Sequence, residues 1–376
     1  MPGYQVPLTT VDANTTINNQ KLVTTGNDIG KNYLINGDFS IWQRGTSFTG
    51  GGFTADRWHI HDGSASVVIT KTADGISLSG TTSAFAAGNT FSGLEYRGIE
   101  SQDIYNVLSS GPMTFSWKMK STVNATIGLR MDLFDSSGTR HSYTPLIAVS
   151  QSSAFVKYSV VIPQNSIVTK RNNEQGFQPQ FVFVESRTSY LGGSATEWNS
   201  PATKLVPQSI NAFSGGNATF EITEVQLEKG SVSTPFGRRP FGQELALCQR
   251  YYEKNYIDSV VPGTNLNPAS NGMIEQQAFI LTTASGATVG TARSRSFPYP
   301  FKVQKRATPS VRIWDLAGNI NKYTSGDSNG AFSSNNNSFD VFGGTQVTQN
   351  SITWQTTVAS SGHIFAGIMW EASSEL

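Results

Sequence analysis

Apolar and polar residues alternate with a period of two along several stretches of the chain, the pattern of β-strands with one buried face. Every second residue is apolar over residues 113–119, and the same holds over residues 127–133. A third alternating stretch covers residues 156–162 and is followed by Pro163, which is expected to end the strand. Short strands at these spacings predict an antiparallel β-sandwich or jelly roll over residues 31–240.

Two other strands of this region depart from simple alternation. Residues 181–184 are continuously apolar, which predicts a strand that is buried on both faces. In the closing strand Phe220 and Ile222 share one parity, whereas Val225 and Leu227 share the other. A β-bulge near residues 223–224 would bring all four side chains to one face.

A second, smaller β domain is predicted for residues 258–376. Val311 and Ile313 alternate around a polar residue, and the C-terminal apolar residues alternate in the same way. Between the predicted strands, residues 324–330 and 333–338 are polar and rich in Ser and Asn. We expect them to be long loops, which often carry recognition on a rigid scaffold.

The sequence predicts one helix, over residues 241–256. It makes up nearly all of a segment, residues 241–257, that connects the two β domains. Leu245, Cys248 and Tyr252 follow at i, i+3 and i+7, with Glu244 near the start and Lys254 near the end. So short a helix is marginally stable alone. We expect it to pack between the two β domains or against symmetry-related copies.

The N-terminal segment, residues 1–30, is polar and has no clear periodicity. Such a segment does not bury enough apolar surface to offset its ordering entropy. We interpret it as an extended arm that is held by other copies of the chain or by a docking protein. The alternative is an arm that folds back on its own domain.

Composition narrows the possible partners. The 376 residues carry 14% charged residues and a formal net charge of +1, so no overall basic field favours nucleic acid or an anionic membrane. Glycine is frequent, with 36 residues, as expected for many strands joined by turns. The single cysteine, Cys248, excludes an intrachain disulfide and is interpreted as a small buried residue. We expect neither an export signal nor membrane insertion.

Two blocks of sequence resemble a known family. The first, at residues 32–58, contains Asn36-Gly37-Asp38 and two tryptophans, Trp42 and Trp58, around a glycine-rich loop. The second runs over residues 220–240 and ends in Arg239-Pro240. Together they resemble the start and end of a jelly-roll domain of bacteriophage tail-fibre and other virion appendage proteins, which is itself similar to carbohydrate-binding modules. Residues 244–252 and, more loosely, 301–319 resemble later parts of such fibres.

The resemblance implies a function and several partners. It implies a homotrimeric virion protein that is assembled in the host cytoplasm and attaches a phage to host surface polysaccharide, with residues 1–30 docking on another tail or capsid protein. Exposed strand edges and apolar faces also favour self-association. A purely structural virion protein, such as a head-fibre or baseplate component, is the alternative, and a glycan depolymerase is a third.

Enzymatic signals are weak. The sequence contains no nucleophile elbow, phosphate-binding loop, paired-cysteine zinc motif or His-Glu-x-x-His. The carboxylate groupings to consider for glycoside hydrolysis are Glu95, Glu100 and Asp103; Asp132 and Asp135; and Glu221, Glu224 and Glu228. Each grouping also fits turns or exposed strand faces, and a β-helical repeat is absent. We therefore expect no enzymatic activity and no cofactor.

Two pairs of residues have side chains of metal-ligand type. His59 and His61 share one face of a predicted strand and could hold a metal on a symmetry axis, but a solvated strand face explains them equally simply. Asp38 and Glu224 fall where the resemblance implies a structural calcium, yet two oxygen ligands do not make a calcium site. The sequence-based expectation is no bound metal.

The best sugar-binding candidate from sequence is the loop at residues 187–199. Sugars are recognised by aromatic faces that stack on C–H surfaces and by amides and carboxylates that bind hydroxyls. Tyr190 and Trp198 offer the rings, and Glu197 and Asn199 flank Trp198. We predict these four residues as the ligand site. The alternative for Trp198 is a structural role at the edge of a core or subunit interface.

Overall fold

The structure is a computed structural model of the 376-residue chain. It describes residues 32–62, 67–80, 90–167, 169–170, 172–200, 206–214, 217–256, 260–265, 292–295, 298–315, 317–326, 332–338, 346–353, 355–358, 365–367 and 369–376. The predicted docking arm, residues 1–30, lies outside the described residues. In the described part of the chain, no helix is long and apolar enough to cross a bilayer.

Two antiparallel sheets form a jelly-roll β-sandwich, as the alternation predicted. The first sheet has the spatial order β1–β4–β5–β15–β8–β12. Its strands are β1 (Ser47–Thr49), β4 (Val68–Lys71), β5 (Ile76–Gly80), β8 (Met113–Ser121), β12 (Ser152–Ile162) and β15 (Ala218–Lys229). The predicted end of β12 before Pro163 is confirmed.

The second sheet has the order β10–β9–β13–β6–β3–β2, and three further short strands pair with it. Its strands are β2 (Gly52–Phe53), β3 (Trp58–Asp62), β6 (Phe91–Tyr96), β7 (Ile99–Glu100), β9 (Ala125–Phe134), β10 (Arg140–Tyr143), β11 (Leu146–Val149), β13 (Gln175–Glu185) and β14 (Ile210–Asn211). A short helix, α1 (Ser101–Ile104), and 3-10 turns at Leu108–Ser110 and Thr188–Tyr190 interrupt the strands.

The sandwich core lies between the two sheets, where the inward residues of facing strands meet. The Phe181 ring of the second sheet lies 5.4 Å from Phe115 and 5.3 Å from Trp117 of the first. Residues 181–184 are all buried, and Val182 belongs to a separate apolar cluster on the outer side, so the predicted burial on both faces is confirmed. Each such side chain contributes roughly 1.5–3 kcal/mol through burial.

The predicted bulge in the closing strand is also confirmed. The pairing of β15 with β8 shifts register between Thr223 and Gln226, and Glu224 adopts φ 51°. As a result the apolar residues on both sides of the bulge, Phe220, Ile222, Val225 and Leu227, are all fully buried in the same core.

The helix α2 (Phe241–Gln249) is shorter than predicted. The prediction that helix continues to residue 256 is wrong, because Tyr252–Lys254 form strand β16, which pairs with the C-terminal strand β26 (Met369–Ser373). The expected apolar stripe is only partly present: Cys248 is fully buried, whereas Leu245 is half-buried. Tyr252 instead lies under the Arg44 guanidinium, 3.6 Å from the ring centre.

The C-terminal region forms small antiparallel sheets. Besides β16 and β26 its strands are β17 (Ala292–Arg295), β18 (Tyr299–Pro300), β19 (Ser310–Trp314), β20 (Lys322–Gly326), β21 (Phe332–Ser338), β22 (Gln346–Val347), β23 (Ser351–Thr353), β24 (Gln355–Val358) and β25 (Phe365–Gly367). The prediction that residues 324–330 and 333–338 are loops is wrong for β20 and β21, which pair with each other. Backbone hydrogen bonds between the two strands stabilise this pairing, although both segments contain few apolar residues. Residues 327–330 lie outside the described residues.

Candidate ligand-binding face

The outer side of the second sheet carries a row of polar side chains. Along β3 and β6 the residues Trp58, Ile60, Leu94 and Tyr96 enter the core. Strand alternation therefore turns His59, His61 and Glu95 outward. The register places His59 opposite Glu95, Glu95 opposite Gln180, and Gln180 opposite Arg130 on β9. We call the outward side chains of β3, β6, β9 and β13 the polar face.

Glu95 is the centre of the hydrogen bonding on this face. One carboxylate oxygen lies 2.8 Å from His61 Nε2 and 2.6 Å from Arg97 Nη1, and the other accepts from Gln178 Nε2 at 2.7 Å. Burial acts to raise the pKa of Glu95, but the hydrogen bond from His61 and the charges of His61 and Arg97 outweigh it and lower the pKa. Glu95 is therefore a fixed anion at neutral pH.

His59 is uncharged on this face. Burial lowers its pKa to about 4, with help from the charges of His61 and Arg97 and against the attraction of Glu95. Its Nδ1 atom is buried and has no hydrogen-bond partner, since the nearest Glu95 oxygen is 3.7 Å away. His59 thus presents a neutral imidazole with one unused nitrogen.

A continuous line of rings borders the polar face. The ring centres of Phe53 and His59 are 5.0 Å apart, those of His59 and His61 are 4.7 Å apart, and those of His61 and Phe91 are 5.9 Å apart. The Arg187 guanidinium then lies 4.5 Å from the centre of Phe91 and 4.5 Å from the centre of Tyr190. All five rings are partly exposed. We call Phe53, His59, His61, Phe91 and Tyr190 the aromatic row.

Beside this row lies an amide without partners. Both side-chain atoms of Gln180 are buried, and neither makes a hydrogen bond. Its amide occupies the space left by Gly93, where an added Cβ would lie 3.0 Å from Gln180 Nε2. A buried polar group without a partner costs roughly 1–3 kcal/mol, so this amide is a destabilising feature of the interior side of the polar face.

The structure separates the four predicted loop residues. Tyr190 joins the aromatic row, and Glu197 is exposed. Trp198 is half-buried against the core; its Nε1 donates to Pro163 O at 3.0 Å and its ring lies 6.0 Å from Tyr143. Asn199 bonds the backbone of Ser142 and Ser194. Only Tyr190 of the four therefore lies at the aromatic row.

Most carboxylates of the other groupings have internal partners; Asp103 is exposed, and desolvation together with the charge of Glu100 raises its pKa. Glu100 pairs with Arg250, and Asp132 pairs with Arg130 at 2.8 Å. Asp135 caps its own turn: the hydrogen bond from the Ser137 hydroxyl and others from that turn lower its pKa. Of the closing-strand group, Glu221 pairs with Lys120, Glu224 with Lys118, and Glu228 bonds Thr234.

The candidate calcium ligands share a positively charged partner. Arg238 Nη1 lies 2.9 Å from Asp38 and Nη2 lies 3.4 Å from Glu224. The guanidinium therefore supplies, at this position, the positive charge that a cation would bring. Asp38 and Arg238 also line a cavity of about 200 Å³, together with Phe236, Phe241 and Glu244.

Sequence reasoning missed most of the polar face. The His59-Ile60-His61 pattern placed two imidazoles on one side of a strand, but it carried no information on which strand lies beside it. Glu95, Gln180 and Arg130 are distant from β3 along the chain and meet it only through the sheet register. A non-local register is not readable from one sequence.

No protein-family model matches the sequence, and no curated protein matches it. Solved structures with partial similarity include the cellulose-binding domain of Cellulomonas fimi β-1,4-glucanase C (10% identity, TM-score 0.27, 52% of this chain and 95% of that chain). A second is the xylan-binding domain of Paenibacillus barcinonensis Xyn10C (13% identity, TM-score 0.26, 50% and 94%). A third is the enzymatically active domain of bacteriophage CBA120 tailspike protein 4 (9% identity, TM-score 0.26, 53% and 22%). The fold assignment rests on the sheets of this chain itself.

Proposed function

We propose that this chain binds carbohydrate along the aromatic row and the polar face. The observation that carries the proposal is the line of partly exposed rings along the polar face. Rings stack on the C–H faces of sugars, and amides and guanidinium groups bind hydroxyls in fixed directions. The guanidinium groups of Arg187 and Arg97, whose side chains are 24% and 31% exposed, lie over rings of this row and are accessible donors.

The proposed activity is binding without hydrolysis. Glycoside hydrolysis needs a carboxylic acid that stays protonated near neutral pH, beside a second carboxylate. Glu95 has the opposite property, because its hydrogen bonds and cationic neighbours lower its pKa. Burial raises the pKa of Asp56 to about 6, but this side chain is fully buried beside Gln43 and out of reach of a polysaccharide.

The proposed setting is a bacteriophage tail fibre that attaches the virion to host surface polysaccharide. The sequence blocks at residues 32–58 and 220–240 support this setting, since both resemble the ends of a fibre jelly roll. The proposal includes a homotrimer and docking of residues 1–30 on another virion protein. A purely structural virion role is the second candidate, and it is favoured by the internal use of Trp198 and Asn199 in the predicted recognition loop.

Binding of the labelled chain to intact host cells, with and without periodate treatment of surface glycan, tests the proposal. Saturable binding that is lost on treatment is expected. Phe91→Ala should weaken binding about tenfold, the effect of losing one ring contact of about 1.4 kcal/mol. Phe155→Ala is the matched control, because Phe155 also stacks with a cation, Lys120, but on the opposite sheet.

Two results would count against the proposal. Equal binding before and after periodate treatment would exclude glycan as the ligand. Absence of binding to cells that the virus infects would favour the structural role. If both alanine variants weaken binding equally, the loss reflects general destabilisation rather than the aromatic row.

A further inference from the structure

Three side chains of the polar face form a set of metal-ligand type. His59, His61 and Glu95 each offer one ligand atom, and these atoms all lie within 4.8 Å of one another. A Glu95 oxygen is 2.8 Å from His61 Nε2 and 3.7 Å from His59 Nδ1. Neighbouring ligand atoms of a tetrahedral zinc site lie about 3.3 Å apart, given bonds near 2.1 Å. Small side-chain adjustments would therefore fit one ion between the three groups.

The strands hold these ligands in a suitable arrangement. His59 and His61 are two residues apart on β3 and project from the same side, and Glu95 lies directly opposite His59 on β6. The site borders the solvent through His61, whose side chain is 39% exposed. This ligand set suits divalent transition metals rather than calcium or magnesium, which prefer oxygen ligands alone.

A second observation also points to a ligand. His59 Nδ1 is buried and makes no hydrogen bond, although imidazole nitrogens in such positions are normally paired. A neutral imidazole with a free lone pair is the form that binds a metal ion. The solvated strand face that also explains the two histidines does not account for this unused nitrogen.

One cation competes for the position. Arg97 Nη1 lies 2.6 Å from the Glu95 oxygen that faces both histidines. The Arg97 side chain is 31% exposed, so it is able to turn into solvent when a metal ion takes its place. Arg97 therefore lowers the affinity of the site for a metal ion but does not prevent the ion from binding.

We infer that His59, His61 and Glu95 bind one divalent transition-metal ion, of the zinc type, on the polar face. The inference goes beyond the proposed glycan binding and does not depend on it. The site needs no second copy of the chain, because all three ligands come from one chain.

Titration of the untagged chain with Zn²⁺ in metal-free buffer tests the inference, with Co²⁺ absorption as a spectroscopic readout of coordination. One equivalent is expected to bind. His61→Gln and His59→Gln should each weaken binding by more than about tenfold, the loss that even an outer-sphere partner can cause. His61 is 39% exposed, so its substitution leaves the core unchanged. Arg97→Gln should instead tighten binding, because it removes the competing cation.

His141→Gln is the matched control, since His141 lies on β10 of the same sheet but bonds Ser200 and Asp135. Its Zn²⁺ affinity should equal that of the unaltered chain. Absence of Zn²⁺ binding, or binding that is unchanged in His61→Gln, would overturn the inference. Glycan binding measured in the presence of a chelator separates the two proposals. The chelator removes the metal ion, and the glycan proposal does not require the ion to be bound.

Discussion

Glu100 and Arg250 face each other in a two-point ion pair, with Nε 2.7 Å from one carboxylate oxygen and Nη2 2.8 Å from the other. Glu100 lies on β7 of the second sheet, and Arg250 directly follows α2. The Tyr251 hydroxyl donates to the same carboxylate at 2.7 Å. Burial acts to raise the pKa of Glu100, but these hydrogen bonds outweigh it and lower the pKa. The pair fastens the end of α2 to the sandwich.

Arg250→Ala should destabilise the chain, because it leaves the Glu100 carboxylate, 1% exposed, without its cation. A loss of about 2 kcal/mol is expected, less than for a fully buried pair since the Arg250 side chain is 30% exposed. The lowered pKa of Glu100 means that the pair stabilises the fold above the unfolded pKa and that this contribution disappears as pH falls through the folded value. Urea unfolding at neutral and acid pH measures both effects.

Lys170→Ala is the control for this prediction. It removes an ion pair with Glu174 in which both side chains are well exposed, and such pairs contribute about 0–1 kcal/mol. Equal losses for the two variants would show that the Glu100–Arg250 pair has no special role.

Strand positions and core residues were predictable because they depend on local alternation. Burial of Phe115 and Trp117 follows from period-two patterning, and the bulge at Glu224 follows from the parity change between Ile222 and Val225. The end of α2 was not predictable in the same way. Tyr252 has acceptable helical spacing, but it pairs with Ser373 at the far end of the chain, and this long-range pairing determines its conformation.

The candidate site was less predictable than the fold. Tyr190 was predicted from its residue type and its place in the loop at residues 187–199, and it does lie in the aromatic row. Trp198 is an aromatic residue of the same loop, yet its indole faces the core and its Nε1 donates to Pro163 O. Glu95 stood out in the sequence only as one of several carboxylates and Gln180 not at all, because their place on the polar face depends on cross-strand neighbours. Exposure and register are set by tertiary packing, not by residue type.

Gly37→Ala should be severely destabilising. A Cβ at this position would overlap the carbonyl oxygen of Val225, and the backbones of the two residues are fixed by the hydrogen bond of 2.8 Å that Val225 N donates to Gly37 O. We expect a loss above about 3 kcal/mol, in the range of the largest single-residue effects. Chemical denaturation measures it.

Gly242→Ala provides the matched comparison, since nothing lies within 4 Å of a Cβ there and the residue is in the first turn of α2. Alanine should stabilise this turn by about 0.5–1 kcal/mol. A Gly37→Ala chain as stable as the unaltered one would contradict the close approach of the first block to β15.

Asp56 should make stability depend on pH. Burial raises its pKa to about 6, while Arg44 and Gln43 act in the opposite direction. The folded chain therefore holds a proton that the unfolded chain, with an Asp pKa near ~3.9, has released. This contribution is complete below about pH 4 and is lost as pH rises through about 6, a change of about 3 kcal/mol. Asp56→Asn removes the titration.

The measurement is the difference in free energy of unfolding between the original chain and Asp56→Asn from pH 4 to pH 7. His59, whose pKa burial lowers to about 4, acts in the opposite sense: its contribution is lost as pH falls from about 6.5. Because both proteins contain His59, the difference isolates Asp56. The difference should decrease as pH rises; a constant or increasing difference would contradict the assignment.

Trp198 should matter for stability and not for ligand binding. Its Nε1 donates to Pro163 O at 3.0 Å, and its half-buried ring packs on the sandwich core near Tyr143. Trp198→Phe keeps a ring but removes the hydrogen bond, so a loss of about 1 kcal/mol in urea unfolding is expected. Glycan binding should be unchanged, whereas Tyr190→Ala should weaken it. If Trp198 instead stacks on sugar, as its sequence context indicated, Trp198→Ala would abolish binding while Trp198→Phe retained it.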